Sequence, residues 1–217
     1  PSAFEPLRDL VENIYTNEYL ETLLPKWNNA IREPDAFTAL PLQRNFYSRN
    51  IKNAKERIVV IISDALRYEA GKELFQKMED DPKCTAKLEV QLSVLPSYTR
   101  LGMAALLPHS ELTMTDDFKV LVDGLSCEDL SERETILQKY NHDGVCVRFD
   151  DIRSLKIADL RSVFTGKQVV YVYHNQIDAR GDKPNTENEV FVACQEAVTE
   201  IMDLIHRIST SANTYRF

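Results

Sequence analysis

Ile58-Val59-Val60-Ile61-Ile62-Ser63-Asp64 is the stretch that decides the fold of this chain. Its five consecutive β-branched apolar residues predict a strand that is covered on both faces, which is typical of parallel sheets. In open α/β sheets, ligand sites lie just beyond the carboxyl ends of such strands. Asp64 stands at that position, and its charge is costly to bury unless a metal ion, a basic side chain or a helix N-terminus lies opposite it. The residues by themselves leave these three partners open.

The chain from residue 54 onward alternates predicted strands with predicted helices. The strands are expected over 57–63, 87–95, 118–122, 144–149 and 168–173, and the helices over 66–79, 98–107, 129–140, 151–164 and 186–208. Thr186 and Glu189 form a capping-box pattern at the start of the last helix. This alternation predicts an α/β fold, a three-layer α/β/α sandwich with a largely parallel sheet. We expect residues 1–53 to be a helical lead-in or the tail of a preceding domain.

The composition describes a globular protein and excludes some classes of function. Lys and Arg number 26 against 34 Asp and Glu, a net charge of −8, so we expect neither a broad nucleic-acid surface nor a membrane partner. No apolar run approaches the ~18–20 residues that cross a bilayer, and we expect a cytoplasmic protein. The cysteines are scattered without a C-x-x-C pair, which predicts buried free thiols. They are Cys84, Cys127, Cys146 and Cys194.

Polar side chains follow strands or open helices at three places in this pattern. They are Asp64, the turn Pro96-Ser97-Tyr98-Thr99-Arg100, and the segment from His174 to Asp182. A hydroxyl at a helix N-terminus lies near free backbone N–H groups, which suit both an alkoxide and a phosphate. A neutral Thr99 is a weak nucleophile, so it requires a base or a divalent ion on its oxygen. Together the segments predict a metal-assisted phosphoryl site.

The candidate residues of this site have defined roles. The metal ligands are expected to be Asp64, Thr99, His174 and Asp178, whose oxygen and nitrogen donors zinc and manganese accept. Arg67 and Arg100 are candidate phosphate contacts, because an arginine fork suits phosphate.

Each candidate also has a purely structural interpretation. Asp64 and Thr99 are each consistent with a helix N-cap, and His174 with a hydrogen-bonded structural residue. Asp178 and Asp182 suit a turn around Gly181, and the two arginines suit surface charges at helix starts. For the remaining histidines, His109, His142 and His206, structural roles are favoured.

Three stretches resemble the PglZ branch of the alkaline phosphatase superfamily, a group tied to bacterial phage-defence systems such as BREX. They are Val60 to Glu69, Leu95 to Gly102 and Tyr173 to Asp182, within a match over roughly 46–208. The resemblance implies that Asp64 is a metal ligand and that Thr99 is the nucleophile that takes the phosphoryl group. It also implies that His174 and Asp178 fill the place where superfamily members carry Asp and then His.

The resemblance further implies an incomplete site. The superfamily completes a two-metal site with a later Asp-His pair and another His, and nothing after Asp182 supplies them. We therefore expect 54–217 to be the N-terminal part of an alkaline phosphatase-like domain, with weak metal binding and poor turnover by this fragment. Zinc is the first choice of metal, with manganese, magnesium and calcium as alternatives.

Three functions follow from these observations. The first is a metal-dependent phosphoesterase, either a phosphatase or a phosphodiesterase, in a defence system with other defence proteins as partners. The second is a non-catalytic phosphatase-like scaffold or binding module in a defence complex. The third is a receiver-like or Rossmann-like binding domain that uses Asp64, and it is disfavoured because none of the six glycines clusters after a strand.

Overall fold

The computed structural model describes residues 4–32, 39–183, 186, 189–212 and 215–217. The chain forms two compact units, one of Pro1–Leu42 with Val90–Leu92 and one of Gln43–Glu89 with Ser93–Phe217. Residues 5–30 of the first unit are helical, as expected for this segment, and form α1 (Glu5–Asn13), a π-helical segment (Ile14–Leu20) and α2 (Glu21–Ala30). None of these helices has a buried residue. The domain boundary at residue 53 stays a prediction.

The second unit is built on a parallel sheet. Its strands are β1 (Ile58–Ser63), β5 (Val145–Arg148) and β6 (Val169–His174), in the order β1-β6-β5. β1 pairs with β6 in parallel along its whole length, from Ile58 opposite Val169 to Ser63 opposite His174. Both strands consist mainly of buried apolar residues. The parallel sheet that the Val/Ile runs predict is confirmed.

Helices cover both faces of this sheet. They are α3 (Phe46–Asn50), α4 (Tyr68–Glu79), α5 (Thr99–Ala105), α6 (Leu130–Tyr140), α7 (Phe149–Ile152), α8 (Ile157–Phe164), α9 (Asp178–Gly181) and α10 (Val190–Ser211). Side chains alternate across the pleat, so Val60 packs in the core with α3, α5 and α6 while Val59 packs in the core with α8 and α10. The three-layer α/β sandwich is therefore confirmed.

One strand prediction is wrong, and another strand lies outside the parallel sheet. Residues 87–95 form no strand, and Leu92 makes only an isolated parallel bridge to Leu42. Alternation of apolar residues provides a half-buried surface, but a strand also needs a neighbour that pairs along its length. The strand predicted at 118–122 exists as β3 (Val120–Val122), although it lies in a separate antiparallel sheet. Its neighbours there are β2 (Leu112–Met114) and β4 (Leu125–Ser126).

Two helix predictions also need correction. The helix expected over 151–164 is two helices, α7 and α8. The last helix begins at Val190 rather than at Thr186, and its N-cap residue Glu189 makes no side-chain cap. The Thr186 hydroxyl instead donates to the Arg180 carbonyl at 2.8 Å, so it serves the loop before the helix.

All four cysteines are free thiols, as expected, but only Cys127 and Cys146 are buried. Cys84 and Cys194 are half-buried, and Cys84 lies in a turn that follows α4. Among the residues that the structure describes, no helix combines the length and the apolar character needed to cross a membrane.

Candidate functional site

The carboxyl ends of β1 and β6 bring two of the polar segments together. Ser63 lies opposite His174 in the ladder, and the Asp64 N–H donates to the His174 carbonyl at 2.9 Å. The chain then leaves β6 and forms the short helix α9, which begins at Asp178. Asp64 and the segment 174–182 therefore occupy the same edge of the sheet, where parallel α/β folds bind ligands.

Three carboxylates influence one another at this edge. Burial raises the pKa of Asp64, and the neighbouring carboxylates of Asp178 and Asp182 raise it further. Burial also raises the pKa of Asp178, with Asp182 again contributing. A raised pKa means that the folded protein disfavours the ionised form, because negative charges lie close together with limited solvent. A positive charge at this edge would reduce the repulsion between these carboxylates.

Asp182 lies in the predicted polar segment but was not among the predicted metal ligands, since it also suits a turn around Gly181. It belongs to the same acidic group, as its effect on Asp64 and Asp178 shows. The available signal was its spacing, because Asp182 follows Asp178 by four residues directly after a buried strand.

Arg133 on α6 is the positive group that acts on Asp64, and sequence reasoning missed it. Its charge lowers the pKa of Asp64, although this is the weakest of the influences on that carboxyl group. Its Nε donates to the Cys127 carbonyl at 2.9 Å, and the guanidinium lies 4.9 Å from the centre of the Tyr173 ring. No local pattern singles out an arginine inside a helix, so only the packing of α6 on the sheet identifies it.

The turn that carries Asp64 is strained. Ala65 has a φ of 62°, a left-handed conformation that is costly for a residue with a side chain. The Ala65 N–H donates to Asp64 Oδ1 at 3.0 Å, and the N-cap of α4 is Arg67. Asp64 is therefore not the N-cap of α4, and this structural alternative is wrong. Strained backbone of this kind is concentrated at functional sites.

His174 has partners on both ring nitrogens. Nδ1 lies 2.9 Å from the Ser63 hydroxyl, and Nε2 lies 3.2 Å from Glu200 Oε2 on α10. The ring packs against Phe149, with 4.6 Å between ring centres. Burial lowers the pKa of His174, in opposition to Glu200, so the folded protein favours the neutral ring.

The proposed ligands approach one another without forming a closed set. Within the described part of the chain, Asp64, His174 and Asp178 do not bring their ligand atoms to within 4.8 Å of one another. Coordination by His174 requires one of its two hydrogen bonds to open. Its role as a ligand stays a prediction, as do those of Asp64 and Asp178.

The hydrogen bonds described above for Asp64 and His174 do not include the other three candidates, Thr99, Arg67 and Arg100. Thr99 is the exposed first residue of α5, with Tyr98 at the N-cap position, so the interpretation of Thr99 as an N-cap is wrong. Arg100 Nη1 lies 3.2 Å from Glu128 Oε1, and Arg67 is exposed just before α4. Among the described residues, no hydrogen bond joins Thr99 to Asp64. The nucleophile and phosphate-binding roles stay predictions.

Comparisons with known proteins agree on one family. A family model described as "BREX system PglZ alkaline phosphatase-like domain" matches residues 46–217. The chain is 40% identical over 213 residues to "Alkaline phosphatase-like protein PglZ" of Bacillus cereus (strain H3081.97), with 95% of this chain and 25% of the relative covered. It is also 40% identical over 214 residues to "Alkaline phosphatase-like protein BrxZ" of Escherichia coli O9:H4 (strain HS), with 93% of this chain and 24% of the relative covered. The chain thus spans about a quarter of the length of these relatives.

Proposed function

This chain belongs to the PglZ family of BREX alkaline phosphatase-like domains, and on that premise we propose that it contributes to a metal-dependent phosphoesterase in bacterial phage defence. The observation that carries the proposal is the meeting of Asp64 with Asp178 and Asp182 at the carboxyl edge of the parallel sheet. Such crowding of carboxylates costs stability, and a bound cation offsets that cost. The reaction is the hydrolysis of a phosphomonoester or a phosphodiester.

The donor types at this edge suit a divalent ion, and binding would require their ligand atoms to move closer together than they lie here. Asp64 and Asp178 would hold it, and Asp182 supplies a third carboxylate at the same edge. Oxygen donors alone suit magnesium, manganese or calcium, whereas coordination by His174 in addition would favour zinc. When bound, the ion would neutralise phosphate charge and favour the ionised form of a nearby hydroxyl.

Thr99 is the nucleophile in this proposal. Its oxygen forms a bond to phosphorus while the ester bond to the leaving alcohol breaks, and the alcohol oxygen takes up a proton. Water then attacks phosphorus and restores the Thr99 hydroxyl, which releases phosphate from a monoester substrate or a phosphomonoester from a diester. Support comes from its exposed position at the start of α5, where substrate can reach it. Arg67 and Arg100 would contact the phosphate oxygens, and Arg100 would exchange its Glu128 partner to do so.

Partners and location follow from the family alone. The matching family model names the BREX system, and we propose other BREX proteins as partners of this protein. A cytoplasmic location belongs to the same proposal, and the four free cysteines support it.

The proposal is tested on the protein at its full natural length, because this chain spans only about a quarter of its relatives. Turnover of p-nitrophenyl phosphate and bis-p-nitrophenyl phosphate is measured with zinc, manganese, magnesium and calcium in turn. Thr99→Ala should lower metal-dependent turnover on the order of 10³-fold or more, since it removes the attacking oxygen. Thr199→Ala, an exposed position on α10, is the matched control and should leave turnover unchanged.

Two results would contradict the proposal. Turnover that survives in Thr99→Ala would assign the attack to another group. A folded protein that turns over neither substrate with any metal would favour a non-catalytic, phosphatase-like scaffold in the defence complex.

A further inference from the structure

A second group of metal-ligating side chains lies at the far end of α4. Asp81 and Cys84 follow the helix in a turn, and His206 projects from α10. One ligand atom from each residue lies within 4.8 Å of the other two. His206 Nε2 and Asp81 Oδ2 are 2.7 Å apart.

This group is separate from the carboxyl edge of the sheet. Asp64 precedes the start of α4, and Asp81 follows its end. The helix contains 12 residues, which at about 1.5 Å per residue corresponds to roughly 18 Å between its ends. The two sites therefore cannot share one ion.

The backbone holds Asp81 and Cys84 side by side. The Lys83 N–H donates to Asp81 Oδ1 at 2.9 Å, and the Cys84 N–H donates to the Asp81 carbonyl at 2.9 Å. The Lys83 N–H lowers the pKa of Asp81, and His206 lowers it further. Asp81 is thus an ionised carboxylate with one oxygen fixed by the backbone and the other directed at His206. Such outer contacts are the kind that orient metal ligands.

We propose that Asp81, Cys84 and His206 form a zinc site, with the fourth position open to solvent. Sulfur, imidazole nitrogen and carboxylate oxygen are the three ligand types that zinc takes in proteins. Ligand atoms in a tetrahedral zinc site lie roughly 3.3–3.8 Å apart, given zinc–ligand distances of about 2.0–2.3 Å. The 2.7 Å hydrogen bond between His206 and Asp81 opens slightly to admit the ion. Half of the His206 side chain is exposed, so solvent can reach this group and supply the fourth ligand.

Metal binding at this group would tie α4 to α10. Burial raises the pKa of the Cys84 thiol, and the Asp81 carboxylate raises it further, so the thiol releases a proton to solvent when the ion binds. The two helices come from distant parts of the sequence, and a shared ion would cross-link them in the folded state only. The site is therefore expected to stabilise the fold rather than to act on the phosphoester.

Cobalt(II) is the probe, because thiolate coordination gives it an intense near-ultraviolet absorption that oxygen ligands do not give. The full-length protein is stripped of metal and titrated with Co²⁺, and Zn²⁺ is then added to displace it. We expect the thiolate absorption in the wild type, its loss in Cys84→Ser, and an affinity about 10–100-fold weaker in His206→Gln. Cys194→Ser, which removes another half-buried free thiol, should keep the absorption.

The outcomes separate this site from the proposed active site. Asp64→Asn should abolish phosphoester turnover while the thiolate absorption persists. Absence of the absorption in the wild type, or its persistence in Cys84→Ser, would overturn the zinc site. Neither result would bear on the role of Thr99. Circular dichroism of each variant confirms that a lost signal does not reflect unfolding.

Discussion

Two histidine–carboxylate pairs join α10 to the rest of the second unit, and their surroundings differ sharply. His174 Nε2 lies 3.2 Å from Glu200, and the His174 side chain is 0% exposed. His206 Nε2 lies 2.7 Å from Asp81, and 50% of the His206 side chain is exposed. The shorter contact is therefore the more exposed one.

The comparison shows that burial and the number of partners, more than distance, determine what such a pair contributes. Ser63 holds the other nitrogen of His174, and Arg153 holds the other oxygen of Glu200 at 2.9 Å. A buried polar group that loses its partner pays its full desolvation cost, whereas an exposed pair contributes little. The His174 network thus stabilises the sheet edge, and the His206 pair remains free to exchange its hydrogen bond for a metal.

The largest expected effect is the difference between the two histidine deletions. His174→Ala should lower the free energy of unfolding by about 2–4 kcal/mol, because it removes the partner of the Ser63 hydroxyl and of one Glu200 oxygen and opens a cavity beside Phe149. His206→Ala should cost about 0.5 kcal/mol or less. Urea unfolding in the presence of a chelator measures the change in the free energy of unfolding for both variants. Equal costs would show that burial does not distinguish the pairs.

The two pairs should also differ in how their contribution to stability depends on pH. Burial lowers the pKa of His174, so the folded state favours the neutral ring, and the resulting stability is complete above the unfolded pKa of about 6.5. It is lost as the pH falls from there through the folded pKa. Asp81 has a lowered pKa, so its contribution is lost only below about pH 4. His174→Gln should therefore flatten the decline in stability just below pH 6.5, and an unchanged decline would refute this assignment.

Asp64→Asn should raise the stability of the metal-free protein at neutral pH, even though it removes a proposed ligand. The pKa of Asp64 is raised by burial and by Asp178 and Asp182, so the folded state loses stability as the pH rises through that pKa. The amide side chain of the variant carries no charge, so its folded state does not lose stability in this way. Asp81→Asn is the matched control and should not stabilise, because the pKa of Asp81 is lowered. Thermal unfolding at neutral pH with a chelator gives both values.

The smallest expected effect concerns the turn after Asp64. Ala65→Gly removes the cost of a left-handed conformation, which is about 1–2 kcal/mol for a residue with a side chain. Glycine also loses more backbone entropy on folding than alanine does, and this opposes folding by about 0.5–1 kcal/mol. We expect a net gain of a few tenths to about 1 kcal/mol. Ala70→Gly, inside α4, should instead cost about 0.5–1 kcal/mol. A loss of stability in Ala65→Gly would show that the turn is not strained.

Sequence reasoning succeeded where one segment carries its own signal. The Val/Ile run of β1 and the Val/Tyr run of β6 predict buried parallel strands, and Asp64 at the end of the first run indicates the edge of the sheet. The residues 87–95 show the limit, because alternation describes a surface and says nothing about a pairing partner. Thr186 illustrates the same limit, because its hydroxyl donates to a loop carbonyl instead of capping a helix.

The sequence by itself determined the α/β class, the family resemblance and the candidate positions Asp64, Thr99 and Asp178. Only the tertiary structure decided that Asp182 and Arg133 act on Asp64, that Glu200 and Ser63 occupy His174, and that Asp81 and Cys84 meet His206. The physical reason is the range of the interactions. Periodicity and turn chemistry act over a few residues, whereas charge coupling, burial and ligand sets depend on which distant helices pack at the same end of a strand.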